Sequence, residues 1–209
     1  PVFPGSVWDL PKAEWEKLPG YGSDYDARLA RAKKQLADAG FPGGGFDLSF
    51  IGRASSAYDD TALAFETMLA RIGVTLKRQI VPGSGNIEYA VQHKEGQFDI
   101  GGGGGGVTST DPSTSYIGSW MLCTSGRNNA AYCDPELDRL YDEQNRELDP
   151  KKRIAKAQEM IKRATFNSSY IILQWNHEYF AKWDYVKNQL VTPSRYTAAA
   201  KLEYVWLDE

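Results

Sequence analysis

Apolar positions recur along this chain first at intervals of three and four and then in short dense runs, and that alternation predicts helices interleaved with strands. From Asp24, the positions Ala27, Leu29, Ala32, Leu36 and Ala39 stand in a charged background and predict an amphipathic helix stopped at Gly40 and Pro42. Residues 46–51 alternate as a strand. Ala62, Phe65, Met68, Leu69 and Ile72 set a helix over 58–72, with Asp59 and Asp60 complementing the dipole in its first turn and Gly73 closing it. Residues 74–81 follow as a strand, so strand, helix and strand form a βαβ unit, expected to be parallel and right-handed. Asn86 is placed to cap a shorter helix carrying Ile87, Ala90 and Val91, which Gly96 ends ahead of a strand at Phe98.

That strand runs into six glycines, 101–106, and then into Val107, Thr108, Ser109, Thr110, Asp111 and Pro112. A short apolar run followed by residues without side chains and a polar stretch closed by Asp-Pro reads as a buried strand opening into a solvent-lined crevice, the place where open α/β sheets bind ligands. No Gly-Lys-Ser or Gly-Lys-Thr follows the glycines, which argues against a phosphate cradle. The competing reading is a flexible linker. A linker is out of place between an apolar strand and an aromatic, Cys-bearing segment, and the crevice is preferred.

In the second half, Asp134-Pro135-Glu136 opens a helix through Leu137, Leu140, Tyr141 and Leu148. Asp149-Pro150 repeats the device for a helix over 150–165 with Ile154, Ala157, Met160 and Ile161 on one face, and the two form an antiparallel hairpin almost without a loop. Residues 170–175 read as a continuous apolar strand buried on both faces, and 179–183 and 202–207 as further strands around a loop containing Pro193.

Composition narrows the function classes. At 209 residues and 42% hydrophobic, one substantial core, or one large and one partial core, is within reach. The net charge of −3 comes from interspersed acids and bases, which gives a nucleic-acid surface no support. No apolar run approaches the roughly 20 residues that span a bilayer. Pro1-Val2-Phe3-Pro4-Gly5 reads like the middle of a longer chain, and residues 1–22, punctuated by Pro and Gly around Trp8, Trp15 and Tyr21, as an irregular arm. The two cysteines, Cys123 and Cys133, flank a polar stretch and are spaced for a small disulfide-closed loop or for two unlinked thiols; the polar setting favours the bridge, and a bridge favours an oxidising compartment. His93 and His177 stand apart from other ligand-type residues, so neither a metal nor a cofactor is expected.

Three stretches together carry a resemblance: the helix ending Ala32-Lys33-Lys34-Gln35-Leu36-Ala37-Asp38-Ala39-Gly40-Phe41-Pro42, the unit closing with Met68-Leu69-Ala70-Arg71-Ile72-Gly73-Val74, and Gly96-Gln97-Phe98-Asp99-Ile100 followed by an Asp-Pro loop and the Tyr132-Cys133-Asp134-Pro135-Glu136-Leu137-Asp138 helix start. In order and spacing, residues 24–175 resemble the second lobe of the extracellular solute-binding proteins of ABC importers, in the oligopeptide, dipeptide and nickel group. The resemblance implies an α/β, periplasmic-binding-protein-like lobe with a mixed, mostly parallel sheet flanked by helices, a fragment of a two-lobed protein. It divides the chain into an arm or hinge approach (1–22), the second lobe (23–175) and a segment (176–209) returning toward the hinge and a first lobe absent from this chain. It further implies capture of a solute between lobes and delivery to an ABC importer permease, in the periplasm or outside the cell, with or without a membrane anchor.

Peptide binders of this group carry a loop like Gly-Trp-x-x-Asp-x-x-Asp-Pro, whose first Asp neutralises the peptide's amino terminus. Alignment on Asp111-Pro112 puts Thr108 in place of that Asp and Gly105 in place of the Trp, beside Gly104 and Gly106. An ammonium buried there without a carboxylate costs several kcal/mol. The glycines widen the pocket, and Thr108, Ser109 and Thr110 offer hydroxyls for a neutral polar ligand or, equally, for capping the loop. Candidate ligand contacts are thus residues 104–111, with Arg53 on the rim or meeting a carboxylate, Asn128 lining the cleft or holding a turn, and Trp120 for stacking. Peptide, oligosaccharide, opine-like conjugate and metal chelate stand as solutes in that order by family habit. A sensor or interaction module on the same fold is the nearer rival. A hydrolase lobe is the remoter one, since neither Gly-x-Ser-x-Gly nor a motif-placed His occurs.

Overall fold

The computed structural model describes residues 2, 4–54, 56–81, 98–102, 111, 116–167, 170–173, 181–189 and 202–208. The chain divides into two compact units: a sheet unit of Leu10–Gly104 and Gly126–Asp134, and a helical unit of Pro1–Asp9, Gly105–Ser125 and Pro135–Glu209.

In the sheet unit, α1 (Lys12–Trp15) and α2 (Tyr25–Asp38) precede β1 (Phe46–Arg53), α3 (Ser56–Ala70), β2 (Val74–Val81) and β3 (Ile100–Gly102). α2 begins where the sequence predicts, because the Asp24 carboxylate accepts the free Ala27 amide of its first turn. Its stripe Leu29, Ala32 and Leu36 is only half-buried. The sheet has the order β2-β1-β3, and both neighbours run parallel to β1, in register from Phe46↔Val74 to Arg53↔Val81 and from Phe50↔Ile100 to Gly52↔Gly102. The start of the β1–β2 ladder is fixed by glycine. Gly73, at φ +80°, lies so close to the 43–45 turn that a Cβ would collide with the Gly43 carbonyl, and the Gly45 amide donates to the Gly73 carbonyl at 2.8 Å.

One face of the sheet packs on α3. Phe50, Ala62 and Leu76 form the buried centre, with Leu48, Phe65, Leu69, Ile80 and Ile100 around them. Arg78 on that face meets Glu66 of α3 at 2.7 Å. Met68, read from the sequence as part of the apolar stripe, is 59% exposed, because it sits six positions after Ala62 and turns away from the sheet. On the other face, Asp99 accepts both the backbone amide and the hydroxyl of Ser49 at 2.7 Å; the amide and then the hydroxyl hold its carboxyl below the usual range. That bond pins the start of β3 to β1. Residues 82–97, with the shorter helix expected from Asn86, lie outside the described residues.

In the helical unit, a π-helical turn (Ile117–Met121) buries Ile117 and Met121, and α4 (Pro135–Arg146) and α5 (Pro150–Phe166) pack as the expected hairpin. Leu137, Leu140 and Gln144 of α4 and Ala157, Met160, Ile161 and Ala164 of α5 are buried at helical spacing. Asp149 caps α5 by accepting the Lys151 and Lys152 amides, with Pro150 at the first helical position. Leu148 is not on the apolar face of α4: the helix stops at Arg146, and Leu148, in the link, is 93% exposed.

Residues 171–173 are likewise not the buried strand the sequence predicts. They are irregular, with Ile171 71% and Leu173 54% exposed, and no ladder partner for them occurs among the described residues. Further on, β4 (Val186–Lys187) pairs antiparallel with β5 (Trp206–Leu207); the run 202–207 yields only a 3₁₀ turn at Leu202–Tyr204 and the two residues of β5, while 181–183, the described part of the other expected strand, is irregular and β4 lies beyond it.

Gly102 stands where a Cβ would run into the Phe50 ring, and a Cβ at Gly52 would lie 2.8 Å from the same ring. The first glycines of the run therefore belong to the sheet. Gly102→Ala is expected to destabilise the chain by about 1–3 kcal/mol through overpacking, read as a lower urea midpoint at an unchanged slope; an unaltered midpoint would show that the ring does not fill that slot.

Candidate functional site

The parallel strands of the sheet unit end together. Arg53 closes β1 beside the end of β3, since Gly52 pairs with Gly102. Ends of this kind are where open α/β sheets present their ligand loops. Gly104, Gly105, Gly106, Val107, Thr108, Ser109 and Thr110 lie outside the described residues. Arg53 is placed by its backbone alone.

Within the helical unit, Asp111 is met by Arg153 of α5, whose Nη2 donates to Asp111 Oδ2 at 2.8 Å. Both side chains are about three-quarters withdrawn from solvent, at 25% and 28% exposure. Arg153 Nε also donates to Gln144 Oε1 at 3.2 Å, and its guanidinium lies 4.8 Å from the centroid of the Trp8 ring. Gln144, fully buried on α4, donates to Asn145 Oδ1 at 2.6 Å. The arm bearing Trp8 is fastened to the same helix, because Gln158 Nε2 donates to the Asp9 carbonyl at 2.9 Å. One guanidinium thus joins segments near positions 8, 111 and 144 to the first turn of α5, using its planar fork and its flat face at once.

Trp120 sits in the π-helical turn, half-buried, with its ring 6.3 Å from that of Tyr170 in an edge-on arrangement. The turn is continued by Ser125, whose hydroxyl donates to the Ser119 carbonyl. Asn128 holds a turn: its side-chain amide donates to the Tyr132 carbonyl at 2.7 Å, within the loop that Cys123 and Cys133 close as a disulfide. Ala131 in that loop has φ +50°, a conformation that non-glycine residues adopt only when the surrounding chain imposes it. The Cys123 amide donates to Asp138 on α4 at 3.2 Å.

The sequence pattern does not single out Arg153, Gln144 or Trp8 as a group. A signal is present in Gln144, a polar residue four places after Leu140 on the buried stripe of α4. A buried amide on such a stripe requires partners, and those partners lead to Arg153. Among the described residues no three His, Cys, Asp or Glu side chains converge as metal ligands, and no helix is long and apolar enough to cross a membrane.

No protein-family model and no curated protein matches the sequence. Solved structures do match. The oligopeptide-binding protein AppA from Bacillus subtilis, solved with a nonapeptide, matches 100% of this chain with 43% of its own, at 20% identity and a TM-score of 0.72. OppA of Burkholderia pseudomallei matches over 71% of this chain and 29% of its own, at 24% identity and a TM-score of 0.63. The ABC transporter-associated periplasmic binding protein DppA of Helicobacter pylori, solved with the peptide STSA, matches over 75% and 30%, at 21% identity and a TM-score of 0.57. The shared property is the fold, a periplasmic-binding-protein-like α/β architecture with a mostly parallel sheet, and the chain spans between 29% and 43% of the length of these three proteins.

The disulfide closes a short polar loop, and its removal is expected to lower the unfolding free energy by about 2–3 kcal/mol on chain-entropy grounds. Denaturation of Cys133→Ser against wild type measures this. Mass analysis should find neither thiol alkylated before reduction and both alkylated after it; free thiols in the untreated protein would contradict the bridge.

Proposed function

We propose that this chain forms the second lobe of a solute-binding protein that captures a peptide-like or other polar small molecule for an ABC importer and hands it to a membrane permease. The observation that carries the reading is the correspondence along the whole chain with AppA, a protein solved with a nonapeptide. DppA, solved with the peptide STSA, adds a second peptide-bound protein of the same fold. On this reading the ligand lies between two lobes, and the first lobe is contributed by sequence outside these 209 residues. The exposed aromatic surface around β4 and β5, with Trp183 at 72%, Tyr204 at 55% and Trp206 at 54%, fits a segment that packs against such a lobe.

The ligand contacts we assign are residues 104–111, with Arg53 on the rim or meeting a carboxylate, Trp120 for stacking and Asn128 holding its own turn. Their chemistry is that of a binder. Hydroxyls and backbone groups dominate, and the glycines leave room for bulk. A disulfide-closed loop fits the periplasm or the cell exterior.

The test is calorimetry on the full-length protein with trialanine and with maltotriose, alongside mass spectrometry of whatever co-purifies. Peptide binding at micromolar affinity or better, without turnover, is expected. Binding of maltotriose alone would move the solute to an oligosaccharide, and hydrolysis of either probe would make the protein an enzyme.

A further inference from the structure

α3 is apolar on two sides. Its inner side packs Ala62, Phe65 and Leu69 on the sheet. Its outer side carries Asp60, Leu63, Ala64, Thr67 and Met68 at helical spacing, and Arg71, in the turn that follows, continues the stripe. Leu63 is 53% and Met68 59% exposed, and Ala64 and Thr67 between them are exposed as well. Thr67 adds little polarity, because its hydroxyl donates to the Leu63 carbonyl at 2.9 Å. Apolar residues on both sides are the pattern of a helix that is covered on both.

The two ends of the stripe carry opposite charge. Among the described residues Asp60 makes no ion pair, and Arg71, whose Nη1 donates to the Tyr25 hydroxyl at 2.7 Å, meets no carboxylate. A two-fold axis level with the 65–66 peptide sets Asp60 opposite Arg71 of a second copy, Leu63 opposite Met68 and Ala64 opposite Thr67, each pairing occurring twice. The small residues fall at the axis, where two antiparallel helices come closest. Because the stripe is its own complement in charge and in size, a second copy fits it without any further requirement. A different partner would have to supply a base, apolar side chains and an acid at the same intervals.

We propose that the outer face of α3 is a self-association surface, on which two copies of the protein pair antiparallel with Asp60 against Arg71 at both ends and Leu63 against Met68 between them. The surface is confined to α3 and the turn after it, and it does not rest on the ligand-binding reading. A single helix face buries less than the ~800 Å² per partner of a standard interface, so the pairing is weak, with a dissociation constant on the order of 10–100 μM.

Sedimentation equilibrium of the full-length protein from about 1 to about 500 μM tests this, and the mean mass of wild type should rise toward that of a dimer. Leu63→Glu should weaken association at least about tenfold, because it places a carboxylate in the apolar centre of the pairing. Asp60→Arg and Arg71→Asp should each weaken it at least about fivefold on their own, since like charges then meet at both ends. An equimolar mixture of those two variants should associate as wild type does, because opposite charges meet again at both ends; a variant that had merely lost its fold would not recover on mixing. A monomer throughout the concentration range overturns the proposal and leaves the face to another partner. A dimer indifferent to Leu63→Glu overturns it as well, as does the absence of recovery in the mixture.

Discussion

The sheet unit depends on one steric constraint, the seating of the Phe50 ring against side-chain-free backbone. Phe50 is buried at the centre of β1, packed with Ala62 of α3 and Leu76 of β2. Its ring reaches toward Gly52 and Gly102, where a Cβ on either would intrude. An aromatic ring in the middle strand of this parallel sheet needs that slot, because it packs with Ala62 of α3 and the ladders fix the strands on both sides. At the opposite end of β1, the Gly43–Gly45 turn nests on Gly73, which sets the register between β1 and β2. Glycine therefore acts at both ends of the same strand for different reasons: close approach of two turns at one end, room for a ring at the other.

The helical unit is held in another way. Its hairpin buries an ordinary apolar seam, but the seam includes Gln144, and a buried amide is tolerated only with its hydrogen bonds made. Arg153 meets that requirement and extends the network outward to Asp111 and to Trp8. The consequence is specificity of arrangement. An apolar residue at 144 would pack as well, yet it would leave the guanidinium without one of the partners that direct it at Asp111.

Much of this is legible in the sequence where the physics is local. Asp24, Asp149 and Pro150 mark their helix starts because capping acts within three residues, and the βαβ unit follows from spacing and a terminal glycine. What escapes is non-local. The glycine run looks like a single feature, but Gly101 and Gly102 are strand residues, and the slot at Gly102 is set by Phe50, a residue far away along the chain. Residues 170–173 look like a core strand by composition, and no periodicity reveals whether a partner strand exists for them. Leu148 fits the apolar face by spacing because the pattern carries no marker at Arg146, where the helix ends. Arg153 cannot be singled out from the pattern, since Trp8, Asp111 and Gln144 meet it only in three dimensions.

In the sheet unit the parallel strands end together, and in the helical unit the hairpin fixes Asp111 through Arg153; the proposed binding role rests on the likeness to peptide-binding proteins of this fold. The most direct measurement is a crystal structure of the full-length protein with trialanine bound. Peptide density in contact with residues 104–111 is the expected result; density remote from those residues would contradict the assignment.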